Sequence, residues 1–544
     1  MRRSLLSVFS LVAVFGLLLM NPGQVAGRDD DDRRAQENMK LVGTNDLQAR
    51  STYQPVVHRY GSNQWVLFAG HHTLGTNPVT GAPLPSFNPL TGKNEENGTS
   101  IVDVSNPRRP KFLFHIPVSN GQGGGAQMVR VCDGNTLPIR DNKVYMLRSY
   151  ANSAHEIWDV TNPSNPVGVR TVAGGNPVIG AQTGAAGALA GTHKSWWECD
   201  TGVAYIVGRR GNDGTSGWRA GNHIFIFDLR DPAHPVFLRD WALDGQQPGG
   251  ALPPHFTATP SIHGPISTGP NVNTNPIFGT GATLDRVYFA YGTGSNGVMQ
   301  VVDRIKLLPP PFGTGALCGS ATSTLTPPSC ATADFKTAEL GRLIMNPDNG
   351  AHTSMPIGKI TVPDFVTDTG NDDANTTRDI VVVVSEATAH FCSEFRHLTF
   401  MTDVTDEGRP QSIATAQVPA SEGAFCDRGG RFGPHATNEE FGPPFYQKLV
   451  FISYFNAGVR AFDVRDPYNP RDVAFFIPAT TANTDFRCGP YQGDPNVCRQ
   501  VIQTNNVATD NRGFVYVVDR ANTGLHILRL RGDAAKIVGL DHDD

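Results

Sequence analysis

Along most of the chain, apolar and polar residues alternate with a period of two over short stretches, each ending in a turn signal. Such alternation predicts half-buried β-strands rather than helices. One phrase recurs: an apolar strand, then Asp, an aliphatic residue, a polar pair and a proline. Its copies are IVDVSNPRRP (101–110), IWDVTNPSNP (157–166), IFDLRDPAHP (226–235), MTDVTDEGRP (401–410) and AFDVRDPYNP (461–470). The Asp carboxylate can cap free backbone N–H groups at a tight turn. Proline presets φ and cannot continue a central strand. Another strand follows, as in KFLFHIPV, VGVRTV, VFLRDWAL and VAFFIPA.

Two further strand candidates precede each Asp turn. The third unit is the clearest, with KSWWECD (194–200), VAYIVGR (203–209), HIFIFDL (223–229) and VFLRDWAL (236–243). Four antiparallel strands per repeat predict an all-β fold of propeller blades. Five units carry the phrase, and a sixth is degenerate, with RVYFAYG and GVMQVVDRI. The seventh, GFVYVVDR then GLHILRL, runs out before its outer strand, and MKLVGTNDL (39–47) reads as the missing one. The expectation is a seven-bladed β-propeller of four-stranded antiparallel blades, its last blade closed by the N-terminal strand. Closure of this kind removes exposed sheet edges. Residues 73–98 and 306–351 read as Gly/Pro/Ser/Thr-rich insertions without strand periodicity.

The recurring phrase resembles the LVIVD repeat of bacterial exported β-propeller proteins, and the resemblance covers most of residues 39–530. It implies a propeller and an exported protein, and says little about activity.

The N-terminus fits export. Arg2 and Arg3 precede an apolar run from Leu5 to Met20 and a small-residue stretch, Val25-Ala26-Gly27. This is the layout of a cleaved signal peptide, and the run is short for a spanning helix, which needs about 20 apolar residues. The expected division is a signal peptide over 1–27, a disordered acidic linker over 28–38, the propeller over 39–532 and a C-terminal tail over 533–544. The mature protein would be secreted or periplasmic, not membrane-spanning, and a monomer. The whole chain carries a formal charge of −5, and cleavage would remove two arginines. An acidic balance argues against nucleic-acid binding. The 58 Gly and 40 Pro among 544 residues are the punctuation of many turns.

Eight cysteines in an exported chain point to disulfides. Cys318 and Cys330 flank one insertion, and Cys488 and Cys498 flank another. Cys132 and Cys199 fall on innermost strands of adjacent units, leaving Cys392 with Cys426. Two glycosylation sequons occur, at Asn97 and Asn375.

The candidate chemistry lies in histidines. Aligned on their strands, four units place His where the innermost strand begins: His193, His263, His352 and His435. The seventh unit has Asn505 and Asn506 there, the second has Gln127, and the first offers His58 only in a shifted register. Innermost strands line a propeller channel, so these imidazoles would converge near its mouth as ligands for copper, iron or zinc. The same histidines could instead recur by descent and merely bond backbone carbonyls. Glu198 and Glu439 are the weak catalytic candidates, as general bases; Glu440, Trp196, Trp197 and Asn438 are nearby support. His71, His72, His390 and His397 are secondary.

No phosphate-cradling Gly loop follows a strand, so no nucleotide cofactor is expected, and GxSxG and HExxH are absent. Two readings follow. One is a recognition or scaffold module for a protein, glycan or small-molecule ligand, with a His-lined metal site. The other is a metal-dependent oxidase or oxygenase using the channel histidines.

Overall fold

A computed structural model describes residues 35–119, 124–174, 189–210, 221–247, 260–270, 285–293, 296–315, 337–345, 348–367 and 376–540. The chain is all-β and antiparallel, with a few short helices. Four-stranded units follow one another along it. The first runs Thr52–Tyr60, Gln64–His71, Thr99–Asp103 and Lys111–Ile116, each strand paired with the next. The later units begin with Val129–Asp133, Ser195–Trp197, Ile262–Ser267, Thr353–Thr361, Phe432–Thr437 and Thr504–Thr509. The last unit continues through Phe514–Asp519 and Leu525–Leu530, and its fourth strand is Met39–Asn45. Met39 pairs with Leu530 and Asn45 with Leu525, so the chain's beginning completes the sheet that its end leaves open.

The recurring phrase forms the same turn in all five copies. Asp103, Asp159, Asp228, Asp403 and Asp463 end third strands, and each accepts the backbone N–H two residues on, at 2.8–3.2 Å. Three residues later Asn106, Asn162, Asp231, Asp406 and Asp466 repeat the device, accepting from their own i+2 N–H at 2.9–3.1 Å. Two Asx turns in series satisfy donors that the corner takes out of the ladder.

Successive first strands lie side by side, and Thr504–Thr509 lies against Thr52–Tyr60. Apolar faces of neighbouring sheets pack together. Leu67, Ala69 and Val102 share a buried cluster with Tyr516, Val518 and Ile527, joining the first unit to the seventh.

Four details differ from the sequence reading. Glu339–Ile344, inside the stretch 306–351 expected to lack strands, is the fourth strand of the fourth unit and pairs with Val298–Asp303, because Leu340 and Leu343 pack on the core there. Within the stretch 28–38, expected to be disordered, Gln36–Glu37 pairs with Phe476 and Phe475, because the edge strand Arg471–Phe476 leaves backbone groups free to pair. The expected tail holds a helix, Gly532–Val538. Ala534, Ala535 and Val538 share one face of it and pack into the core, and Gly539 ends it at φ 73° in the left-handed region that glycine favours. The insertion over 73–98 contains a small hairpin, Phe87–Asn88 with Lys93–Asn94, pinned by the fully buried Arg50. The Arg50 guanidinium donates to Ser86 O (2.8 Å), Glu95 O (3.0 Å) and Asn97 Oδ1 (2.8 Å). Asn97 is 2% exposed, so its sequon is buried in the fold.

Three of the expected disulfides are formed: Cys132–Cys199, Cys392–Cys426 and Cys488–Cys498, with Cα atoms 5.3, 5.4 and 4.0 Å apart. Such bonds persist in oxidising compartments. Cys318, Cys330 and the sequon at Asn375 lie outside the described residues. Among the described residues no helix is long and apolar enough to cross a membrane.

Met39 is 2% exposed in the core shared by the closing strand and Leu528, Leu530 and Val538. Met39→Ala is expected to destabilise the whole protein by about 2–5 kcal/mol, the usual range for a buried Met→Ala change. Denaturant unfolding should show one cooperative transition at a lower midpoint. An unchanged midpoint would mean that the closing strand does not hold the fold.

Candidate functional site

The histidines reach the axis through irregular backbone. In the first, fourth, sixth and seventh units the first strand breaks register with the second, across Tyr53, His263, His435 and Asn505. A bulge of this kind bends the strand and re-aims a side chain. In the third and fifth units His193 and His352 sit just ahead of the strand, their N–H groups bonded to Val207 O and Val384 O. Tyr53 therefore occupies in the first unit the place that His occupies in others. His58 lies further along that strand, 3.2 Å from Asp133 Oδ1, and does not join the cluster. Gln127 turns to Gly124 O at 3.3 Å.

The four predicted histidines form a continuous group. His193 Nε2 lies 2.9 Å from His263 Nε2. The ring centroids of His263 and His352 are 3.7 Å apart, and those of His352 and His435 4.1 Å. The Tyr53 hydroxyl lies 3.1 Å from both His193 Nε2 and His352 Nε2. His263 Nδ1 meets His352 O at 3.0 Å, His435 Nδ1 meets Asn505 O at 2.5 Å, and His352 Nδ1 meets Thr353 Oγ1 at 2.9 Å. A carbonyl can only accept, so His263 and His435 carry their proton on Nδ1 and keep a lone pair on Nε2. Outer partners that fix ring orientation in this way are the usual support of metal-ligating histidines.

Sequence reasoning missed the carboxylate. Glu386 follows the second strand of the fifth unit, and its Oε1 lies 3.6 Å from His435 Nε2. His263, His352 and Glu386 each offer a donor atom, and the three lie within 4.8 Å of one another. His193 and His435 flank this triad. His435 Nε2 is buried without a hydrogen-bond partner, and such an orphan invites an ion or a donor. Neutral imidazoles with one buried carboxylate are a donor set suited to a first-row transition metal. Nothing in the repeat marks Glu386, because it lies in the irregular connection between the second and third strands of its unit.

Burial holds these imidazoles neutral. It drives His263, His352 and His435 well below the ordinary imidazole range, and neighbouring imidazoles and cations push the same way. His193 falls to about 3, from burial first and then from Lys194. Beside them His72 Nε2 accepts from Arg520 Nε at 3.0 Å. Arg431 Nη1 donates to Glu386 at 2.8 Å.

Glu439 and Glu198 are not free bases. Glu439 accepts from Lys194 Nζ at 2.8 Å and from the Arg130 guanidinium, joining the sixth unit to the third and second. Burial alone would raise its pKa, but the two cations hold it below the ordinary value. Glu198 takes two bonds from Arg304, at 2.8 and 2.7 Å, and others from Ser267 and Tyr205. Arg304 likewise outweighs the burial that would raise the Glu198 pKa. The repeat put carboxylates near the axis, and buried cations from other units claimed them. Trp196 stacks on the Arg130 guanidinium at 4.5 Å and Trp197 packs in the core between the second and third units. Asn438 Oδ1 accepts from Phe451 N, and Glu440 accepts from Thr509 N at 3.1 Å. His71 bridges Thr52 and Ser100, at 3.0 and 2.7 Å, His390 bonds Cys488 O and His397 bonds Ser385; these three sit apart from the cluster's contacts.

No known family model matches the chain, and no curated protein does. Among solved structures, the crystal structure of Saccharomyces cerevisiae Sqt1 aligns with 90% of this chain and 98% of that one, at 7% identity and a TM-score of 0.40.

Removing the central anion tests the ion network. Glu439 is 1% exposed and Lys194 2%, so Glu439→Gln should cost about 3–5 kcal/mol by leaving a buried cation unpaired. The measurement is urea unfolding at neutral pH, and a loss below about 1 kcal/mol would show the pair to be solvated.

Acid should act through every histidine that burial lowers, those of the cluster and others outside it. Burial lowers His155 and His526 to about 4, so between the unfolded value near 6.5 and that point the unfolded chain binds more protons. Stability is therefore full above about pH 6.5 and falls as pH drops toward 4, by up to about 1.4 kcal/mol per pH unit per histidine. His526→Gln should flatten this slope in urea midpoints measured from pH 7 to 4.5; an unaltered slope would refute the assignment.

Proposed function

We propose that this chain is an exported seven-bladed β-propeller of the LVIVD-repeat kind, acting as a metal-dependent oxidase or oxygenase. The ion would be copper, iron or zinc, held at the channel mouth by His263, His352 and Glu386, with His193 and His435 alongside. The propeller reading is supported by the seven repeated units and by the adjacency of their first strands in chain order. Export is supported by the disulfides and by the signal-like N-terminus.

The observation that carries the metal reading is the convergence of neutral imidazole nitrogens on one buried carboxylate. A bound transition ion supplies Lewis-acid or one-electron chemistry, and the residues present hold, orient and desolvate it. Access favours catalysis over a purely structural ion. His193 and His263 are partly exposed while His352 and His435 are fully buried, so the donor set is closed on one side only. Structural ions sit in closed sites and catalytic ones keep a position open.

The test is the metal content of protein purified from its own compartment, followed by stripping and reloading with copper, iron or zinc. Near one equivalent per chain is expected. His352→Ala and Glu386→Gln should each lower it at least tenfold, whereas His58→Ala should not. A reloaded protein is then assayed for dioxygen consumption with reducing substrates. Failure to hold any of the three ions at micromolar concentration would return this protein to the recognition class, its ligand a protein, glycan or small molecule.

A further inference from the structure

Above the histidine cluster lies a cavity of about 440 Å³ that the proposed reaction has not yet used. Its walls include Arg431, Arg487 and Arg520, together with His72, Phe486 and Leu84. That volume falls in the range of small-molecule sites.

The charge in this cavity is unbalanced. Arg487 Nη1 is paired with Asp485 at 2.6 Å, and its Nη2 donates to Arg520 O at 3.1 Å. Arg431 is paired with Glu386 at 2.8 Å. Arg520 gives its Nε to His72, and its Nη1 is buried with no hydrogen-bond partner. Glu386 Oε1 lies 3.7 Å from that nitrogen, and Glu386 is already bonded to Arg431. Three guanidiniums thus share two carboxylates. A buried guanidinium nitrogen with an unused N–H is costly unless an acceptor completes it.

We propose that this cavity binds a small organic carboxylate, its carboxyl group on Arg520 and its apolar body against Phe486 and Leu84. Guanidinium and carboxylate match as planar partners through parallel N–H···O bonds. The apolar wall favours an organic anion over an inorganic one. Arg431 and Arg520 border both the cavity and Glu386, so the seated molecule lies next to the proposed ligands. As a substrate class this inference rests on the metal reading; as a binding site it stands on the cavity alone.

The experiment uses the metal-free full chain and 4-fluorobenzoate, followed by fluorine NMR. Saturable broadening is expected, reversed by acetate and much less by inorganic phosphate. Arg520→Gln should weaken binding at least tenfold. Leu84→Trp, at a half-exposed loop position, should do the same by filling the cavity without touching an arginine, and it decides the matter if Arg520→Gln does not fold. Absence of saturable binding, equal binding by Leu84→Trp, or phosphate displacing the probe as well as acetate does would overturn the proposal. Metal content, measured on each purified protein before it is stripped, keeps the two readings apart. Metal retained without carboxylate binding sinks only this inference, and carboxylate binding without metal sinks only the metalloenzyme.

Discussion

The interior near the axis depends on Glu439. This one carboxylate, from the sixth unit, binds Lys194 of the third and the guanidinium of Arg130 of the second. First strands that crowd together leave almost no room for water, so any charge they carry must find its counter-charge inside. The pairing ties units far apart in sequence, and a buried pair of this kind specifies an arrangement more than it stabilises one. Its consequence for the site is direct. Lys194 follows His193, so fixing the ammonium also fixes where the adjoining backbone leaves the strand and presents His193 to His263.

Much of this was legible in the chain. The Asp turns, the four-stranded units and the use of Met39–Asn45 as the last sheet's fourth strand are local signals repeated until they become unambiguous. The histidines were legible for the same reason, as one position seen in several copies. What escaped was everything non-repetitive. Tyr53 could not be found by searching the first unit for His, because a phenol stands in that place. Glu386 and Arg520 lie where their units differ from the others, and their meaning comes only from meeting across the axis. The roles of Glu198 and Glu439 failed on the opposite ground. Their type was right for catalysis, but a sequence does not say which buried cation will claim a carboxylate.

Two buried carboxylates from different units differ chemically. Glu439 is matched, bonded by Lys194 and Arg130. Toward Glu386 the balance fails by one cation, and the cavity begins there. Functional sites commonly sit where a fold leaves polar groups incompletely matched, and His435 Nε2 and Arg520 Nη1 are two such atoms, both facing Glu386.

Proton counting inside the cluster shows what an ion has to displace. His263 carries its proton on Nδ1, so its Nε2 can only accept, and His193 Nε2 at 2.9 Å must be the donor. The Tyr53 hydroxyl has one proton, and burial keeps the phenol neutral by raising it well above its ordinary value. That proton goes to His352 Nε2, because His193 Nε2 already bears one. The chain closes with each proton used once, and the lone pair on His435 Nε2 is left over. His263, His352 and Glu386 would hold an ion, the two imidazoles through the lone pairs that now accept from His193 and Tyr53. Neither imidazole would first have to lose a proton, since burial disfavours the charged form of both. The burial that makes these histidines poor bases is what keeps them ready as ligands.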